Sequence, residues 1–235
     1  MLFVLKFFLF CLLVSSGFSN ETNKSNLQIE LLIEEYILKN PEIIIKSLEN
    51  YRNEQEVKIE EEKKYLINNY YEKETYNNLP KVGNEDGSII ITEFIDYNCG
   101  YCKRTLQVIS KLFNRNKNIK IVFIDFPILS ETSYIAAKGA LAAFEQDAYF
   151  EFHSKLLNGN KEFSENYIVK LAKEMNLDIT KFKKDMKSNL ISKKIENNIE
   201  FARGLNIRGT PSFIINKKVY PGAYTLDKLE EIINK

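Results

Sequence analysis

The chain opens on a nearly unbroken apolar run, Met1 to Val14, interrupted only by Lys6. Ser15, Ser16, Gly17 and Ser19 follow, small residues of the kind a signal peptidase accepts, so residues 1–19 read as a cleaved secretory signal. The run is shorter than the roughly 20 residues of a membrane-spanning helix, and an uncleaved anchor is the second reading. From Leu27 to Leu38 the apolar positions Leu27, Leu31, Leu32, Tyr36 and Leu38 recur near a helical period. Asn40-Pro41-Glu42 then starts a second helix, with a cap, a first-turn Pro and an acid. That helix runs to about Tyr76 without another Pro or any Gly. Ile44, Leu48, Tyr51 and Gln55 keep heptad spacing, but Gln55 and Glu62 spoil the seam. The apolar face from Leu27 to Leu48 needs a partner. It predicts a homo-oligomerisation stalk through residues 27–76, or else packing against the chain's own domain.

Leu79-Pro80-Lys81-Val82-Gly83 breaks the helical pattern and sets the expected boundary between a helical extension, 20–80, and a second domain, 81–235. Ile89 to Ile95 and Ile119 to Phe126 are short apolar β-branched runs typical of buried strands. The helical pattern to about Asn114 lies between them, making one βαβ unit. Helical patterns then fill about 130–205, with a turn at Asn158-Gly159-Asn160. Ser212 to Asn216 and Val219-Tyr220 read as a hairpin, and Leu226 to Ile233 as a closing helix. The fold class is therefore α/β.

Composition narrows the function. Lys and Arg number 33 against 32 Asp and Glu, a balance that argues against a nucleic-acid partner. One histidine, His153, excludes multi-histidine metal sites and makes a histidine-based triad improbable; it reads as a helix-packing residue. Loss of the signal removes Cys11 and leaves Cys99 and Cys102, too few for a disulfide-stapled scaffold.

Cys99-Gly100-Tyr101-Cys102 follows a strand and opens a helix. Cys99 falls at the helix N-terminus, where free N–H groups and the macrodipole favour a thiolate. Cys102 lies one turn further on the same face and can resolve a mixed disulfide formed on Cys99. Zinc is disfavoured because two thiols and a distant His153 do not make four ligands. A purely structural disulfide is disfavoured because so short a loop constrains little. Glu93, in the strand before the pair, is either a buried acid able to move protons for Cys102 or a carboxylate on the strand's polar side. Asp96 reads as a loop cap and Asp125 as structural. Tyr101 is placed to touch substrate.

The segment from Phe94 to Lys103 resembles the active-site segment of the DsbA-like thioredoxin-fold proteins. Asp125-Phe126-Pro127-Ile128-Leu129, the Ala-rich helix through Phe152-His153, and Gly209-Thr210-Pro211-Ser212-Phe213 fit the same family. The resemblance covers about Val82 to Lys235. It implies a thioredoxin fold with a helical domain inserted before a cis Pro211, and extracytoplasmic thiol–disulfide exchange. It also implies that Thr210 and Pro211 present backbone to substrate beside Gly100 and Tyr101, and that Glu93 matches the family's buried acid. Ile33 to Glu42 resembles the oligomerising extension of ScsC-like members. Gly100-Tyr101 replaces the Pro-His of the best-known oxidase and is the dipeptide of the isomerase DsbC.

These features imply a periplasmic or secreted isomerase or reductase. The alternatives are a monomeric DsbA-type oxidase and, in another class, a thiol-based metal-binding or holdase module. The expected partners are unfolded or misoxidised secreted proteins and a membrane redox partner. No cofactor is implied, because the cysteines carry the chemistry.

Overall fold

The structure is a computed structural model that describes residues 26–159 and 162–234. The expected signal, Cys11, the polar tract from Asn20 to Ser25 and Asn160 of the expected turn lie outside the described residues. The chain divides into two compact units, residues 1–59 and 60–235.

In the first unit a helix over 26–39, α1, is followed by the opening of α2 (Glu42–Glu72). Asn40 separates them: its side-chain amide donates to Tyr36 O at 2.8 Å, and its own carbonyl accepts the Ile43 N–H. Leu27, Leu31, Leu32, Tyr36, Leu48 and Tyr51 are each half or more exposed.

The second unit is built on a five-stranded sheet of order β1-β3-β2-β4-β5: β1 (Lys81–Gly83), β2 (Ile89–Ile95), β3 (Ile119–Asp125), β4 (Ser212–Ile215) and β5 (Lys218–Pro221). β2 and β3 are parallel, and the other pairs antiparallel. The parallel pair is joined through α4 (Gly100–Arg115), as a parallel connection requires. Asn216 and Lys217, both at positive φ, turn the β4–β5 hairpin. α10 (Leu226–Ile233) closes the chain.

Five helices stand between β3 and β4: α5 (Glu131–Phe144), α6 (Tyr149–Asn158), α7 (Glu165–Glu174), α8 (Ile179–Met186) and α9 (Asn189–Gly204). Ser130, Ser164, Asp178 and Ser188 cap four of them by accepting first-turn N–H groups, which divides the long helical stretch into short pieces. This is the thioredoxin-fold arrangement with inserted helices that the resemblance implies.

Strand alternation sorts the core onto two faces. Ile91 and Ile95 of β2, Phe123 of β3 and Phe213 of β4 join the larger cluster, which holds Cys102 and most of the inserted helices. Phe94, Val122, Ile124 and Ile214 join the smaller one. The smaller cluster is covered by Ile67 and Tyr70 of α2, Tyr76 of α3 (Glu74–Asn77), Leu79, and Phe201 of α9. The Tyr70 ring stacks on Phe201 at 3.6 Å between centroids, and Tyr71 Oη lies 3.0 Å from Thr92 Oγ1.

The compact unit therefore reaches back to Glu60, ahead of the Leu79–Gly83 break read as a boundary. Within that break, residues Lys81–Gly83 form an edge strand on β3. A chain starting at Glu60 is expected to melt cooperatively in calorimetry. One starting at Lys81 uncovers Phe94, Ile124 and Phe201. At about 2 kcal/mol for each large apolar side chain removed, it loses most of a typical domain's stability, and its sharp transition disappears.

Candidate active site

Cys99 is the N-cap of α4, with extended backbone angles, and its Sγ accepts the Cys102 N–H at 3.4 Å. The thiol of Cys99 also reaches the Thr210 carbonyl, 3.0 Å away. The Thr210–Pro211 bond is cis, and the structure brings it beside the cysteine pair from 111 residues away. Cys99 keeps 6 % of its surface and Cys102 none, so only the first sulfur is open to a large reactant. Both are free thiols.

The settings of the two thiols differ. Donation from the Cys102 thiol, helped by the N–H groups of Cys102 and Tyr101, lowers the pKa of Cys99 to about 5 against an opposing effect of partial burial. Burial raises that of Cys102 far above the ordinary thiol range, and its bond to Cys99 and the nearby Glu93 add to the effect. One sulfur is held as an anion and the other as a protonated donor to it.

Glu93 lies in the middle of β2, paired with Phe123 and Phe213 on the flanking strands, and is 2 % exposed. By alternation it shares the face of Ile91 and Ile95, the side on which Cys102 is buried. It is thus the buried acid of the two readings, not a surface carboxylate. Burial, with Cys99 nearby, raises its pKa to about 8.

Asp96, 1 % exposed, holds the loop before Cys99. Its oxygens accept the N–H of Asn98 at 2.8 Å, those of Ile128 and Leu129 at 2.9 Å, and the Ser133 hydroxyl at 2.6 Å. Asn98 Nδ2 donates to Ser130, Thr132 and Ser133 at the start of α5. Tyr101 is 58 % exposed with the Arg104 guanidinium 4.2 Å over its ring, and a Cβ on Gly100 would meet nothing. A groove of about 420 Å³ runs along Arg208 to Ser212 beside Val219 and Pro221.

Sequence reasoning missed two features. Ile128 and Leu129, partly exposed on the loop that Asp96 ties down, add apolar surface to the site. Asp125, Tyr149, Tyr97 and His153 form a buried polar cluster behind it. Tyr149 donates to Asp125 Oδ2 at 3.2 Å, Tyr97 to Tyr149 at 3.4 Å, and Tyr97 Oη lies 3.3 Å from His153 Nδ1. Burial raises Asp125 to about 7 and lowers His153 to about 3, so the imidazole is neutral at physiological pH. The cluster's sequence signals were the segment from Asp125 to Leu129 and the helix through Phe152-His153, and neither showed that the groups bond to one another.

Two measurements test these settings. Alkylation of Cys99 by iodoacetamide is expected to hold a plateau at neutral pH and to fall with a midpoint near pH 5, while Cys102 stays unmodified in the folded protein. A midpoint near 9 would return Cys99 to an ordinary thiol. For Glu93, the folded-state pKa is raised from 4.5 to about 8, so its contribution to stability is full below pH 4.5 and is lost as pH rises toward 8. Melting curves of Glu93→Gln are therefore expected to gain on the parent between pH 4.5 and 8, and then to run parallel.

A family model described as thioredoxin matches residues 75–235. Among solved structures, the thiol-disulfide exchange protein α-DsbA2 of Wolbachia pipientis is 35% identical over 74% of this chain and 96% of its own, with a TM-score of 0.67. A linker-deletion variant of ScsC from Proteus mirabilis is 25% identical over 88% of this chain and 92% of its own, also at 0.67. The probable disulfide bond formation protein D of Bacillus anthracis is 24% identical over 173 residues, 68% of this chain and 79% of that protein. The chain also matches sodium/proton antiporters NhaA of Salinispora, of whose length it spans about a quarter. Among the described residues no helix is long and apolar enough to cross a membrane. With a cysteine pair at the start of α4, a cis proline against it and a family match over two thirds of its length, the chain belongs to the thioredoxin family.

Proposed function

We propose that this chain exchanges disulfides with proteins outside the cytoplasm, delivered by residues 1–19, and that it acts as an isomerase or reductase rather than a dedicated oxidase. The observation that carries this reading is the unequal setting of the two thiols. The Cys99 thiolate attacks one sulfur of a client disulfide; a new S–S bond forms, and the other client sulfur leaves as a thiolate. Two exits follow. The freed client thiolate attacks elsewhere in the client and shuffles its disulfides. Otherwise Cys102 gives its proton to ionised Glu93 and attacks Cys99, releasing a reduced client and leaving the Cys99–Cys102 disulfide. Glu93, at about 8, exchanges a proton near neutral pH and suits that step. Gly100, Tyr101, Thr210 and Pro211 line the client's approach, with Ile128 and Leu129 at the rim. A membrane redox partner resets the pair.

The direction rests on two features. Cys99 at about 5 lies between roughly 3.5 for a strongly oxidising pair and roughly 7 for a reducing one. The exposed apolar positions of residues 27–51 suit self-association, which would set several cysteine pairs around one client. The second reading is a monomeric oxidase; its oxidase direction is favoured by the name of the Bacillus relative, a probable disulfide bond formation protein.

Reactivation of scrambled ribonuclease in a glutathione buffer tests the reading, comparing residues 20–235 with a chain starting at Glu60. The longer chain is expected to elute as an oligomer and to reactivate the substrate, and the shorter to be monomeric and several-fold slower. Cys99→Ser abolishes both activities. Equal oxidation of reduced ribonuclease by both lengths, without reactivation, would select the oxidase.

A further inference from the structure

Helices α5, α7 and α8 enclose a cavity of about 440 Å³ in the helical insertion, separate from the groove along Arg208 to Ser212. Lys138, Lys170, Lys173, Lys183 and Lys187 line it, against the single carboxylate of Glu165. The whole chain is nearly neutral, so this is a local concentration of one sign of charge. Its lysines are poorly neutralised. Lys170 approaches Glu174 only at 3.8 Å, and Lys138 lies over the Tyr134 ring. Among the described residues Lys173, Lys183 and Lys187 form no ion pair, and Asp185 of α8 is taken by Lys181 at 2.6 Å. Buried Met186 and partly buried Tyr134 and Val169 add apolar surface to the lining. Cationic groups around apolar surface suit an anion that also carries an apolar group.

The position of the cavity narrows the ligand further. The side chain of Asn98, the residue before Cys99, donates to three hydroxyls in the opening turn of α5, the last of them Ser133. The first residue of the cavity wall on α5 is Tyr134, the next along. The wall positions Tyr134, Ile135 and Lys138 lie on a different face of α5 from Ser133, so a client segment leaving Cys99 comes to the wall by passing over the start of that helix.

We propose that the cavity is an accessory client site that takes an acidic segment with an apolar or aromatic side chain, close in sequence to the client's reacting cysteine. The carboxylates meet the lysines, and the apolar group rests against Met186 and Val169. Steering of this kind raises the encounter rate and selects which client cysteines react first. The proposal rests on the exchange reading above.

The test uses two peptides, each with one cysteine held as a mixed disulfide with thionitrobenzoate. They differ only in the neighbouring segment, Glu-Phe-Asp in one and Gln-Phe-Asn in the other. Attack by Cys99 on the peptide sulfur releases coloured thionitrobenzoate and leaves the peptide on Cys99. For a few exposed charge pairs at low ionic strength, the acidic peptide is expected to react about five-fold faster, with the ratio shrinking as salt is added. In Lys138→Gln/Lys173→Gln/Lys187→Gln the ratio is expected to fall to about one, and in the matching triple arginine variant to persist. A ratio of one in the parent overturns the accessory site. So does a ratio that survives the glutamine variant, since the preference would then belong to Lys103 and Arg104 beside the cysteines. If neither peptide releases thionitrobenzoate, the exchange reading itself fails.

Discussion

The Cys102 N–H donates to the sulfur of Cys99, and this capping bond ties the reactive atom to the first turn of α4. A helix start has N–H groups without partners and the positive end of the dipole, so charge on that sulfur is stabilised. The same helix carries Cys102 one turn inward, to a place with no exposure, where charge is disfavoured. A single helix start thus divides two identical side chains into a nucleophile and a protonated reserve. The arrangement holds only while the preceding loop stays in register. Asp96 secures that by accepting bonds from Asn98, Ile128, Leu129 and Ser133, and so fastens the cysteine loop to the start of α5.

Behind the loop, buried polar groups fix how the inserted helices sit on the sheet. Asn198 of α9 donates to the Asp125 carbonyl and accepts from Tyr70 of α2, while Tyr149 of α6 donates to the Asp125 carboxyl. Bonds of this kind specify one docking geometry, because slippage would leave buried groups without partners. Among the described residues Asp125 Oδ1 has no hydrogen-bond partner even so. A carboxyl raised to about 7 is protonated below neutral pH, and a neutral carboxyl tolerates an unpaired oxygen far better than an ionised one. Glu93 and Asp125 stand on adjacent strands of the same face, and both are pushed toward the neutral form by burial.

The strand, cysteine pair, helix and second strand were legible because their signals are local: a β-branched run, a thiol spacing and an amphipathic period. The hairpin at Asn216-Lys217 was legible for the same reason. Other features depend on partners far along the chain. Both faces of β2 are covered, so alternation in Ile89 to Ile95 could not say that Glu93 points inward. Periodicity from Leu27 to Leu48 showed an apolar face that needs a partner, and it did not extend to Ile67 and Tyr70, the positions of α2 that are buried. Pro80 and Gly83 marked a local break, and nothing local told that Ile67 and Tyr70 close the core upstream of it. A strand as short as Lys81–Gly83 has no pattern to read. Beyond its local bond to Asn98, Asp96 bonds to residues 32 to 37 positions away, and Asp125 bonds to Tyr149 and Asn198, 24 and 73 positions away, beyond any local motif.

The inner dipeptide bears on the direction of exchange through what it does not contribute. Gly100 faces open space and Tyr101 turns outward under Arg104, so the stabilisation of Cys99 comes from the helix start and from Cys102. A thiol of lower pKa leaves a mixed disulfide faster but attacks less well as an anion, with nucleophilicity falling at a Brønsted slope of about 0.4–0.5. A dedicated oxidant gains from the extreme of this trade, because it needs only to hand over its disulfide once. A protein that shuffles disulfides must capture and release the same client repeatedly. An intermediate Cys99, ionised at neutral pH yet not stabilised to the limit, serves both halves of that cycle. This property belongs to each cysteine pair alone. Assembly through residues 27–51 would change how many pairs meet a client, and not how each one reacts.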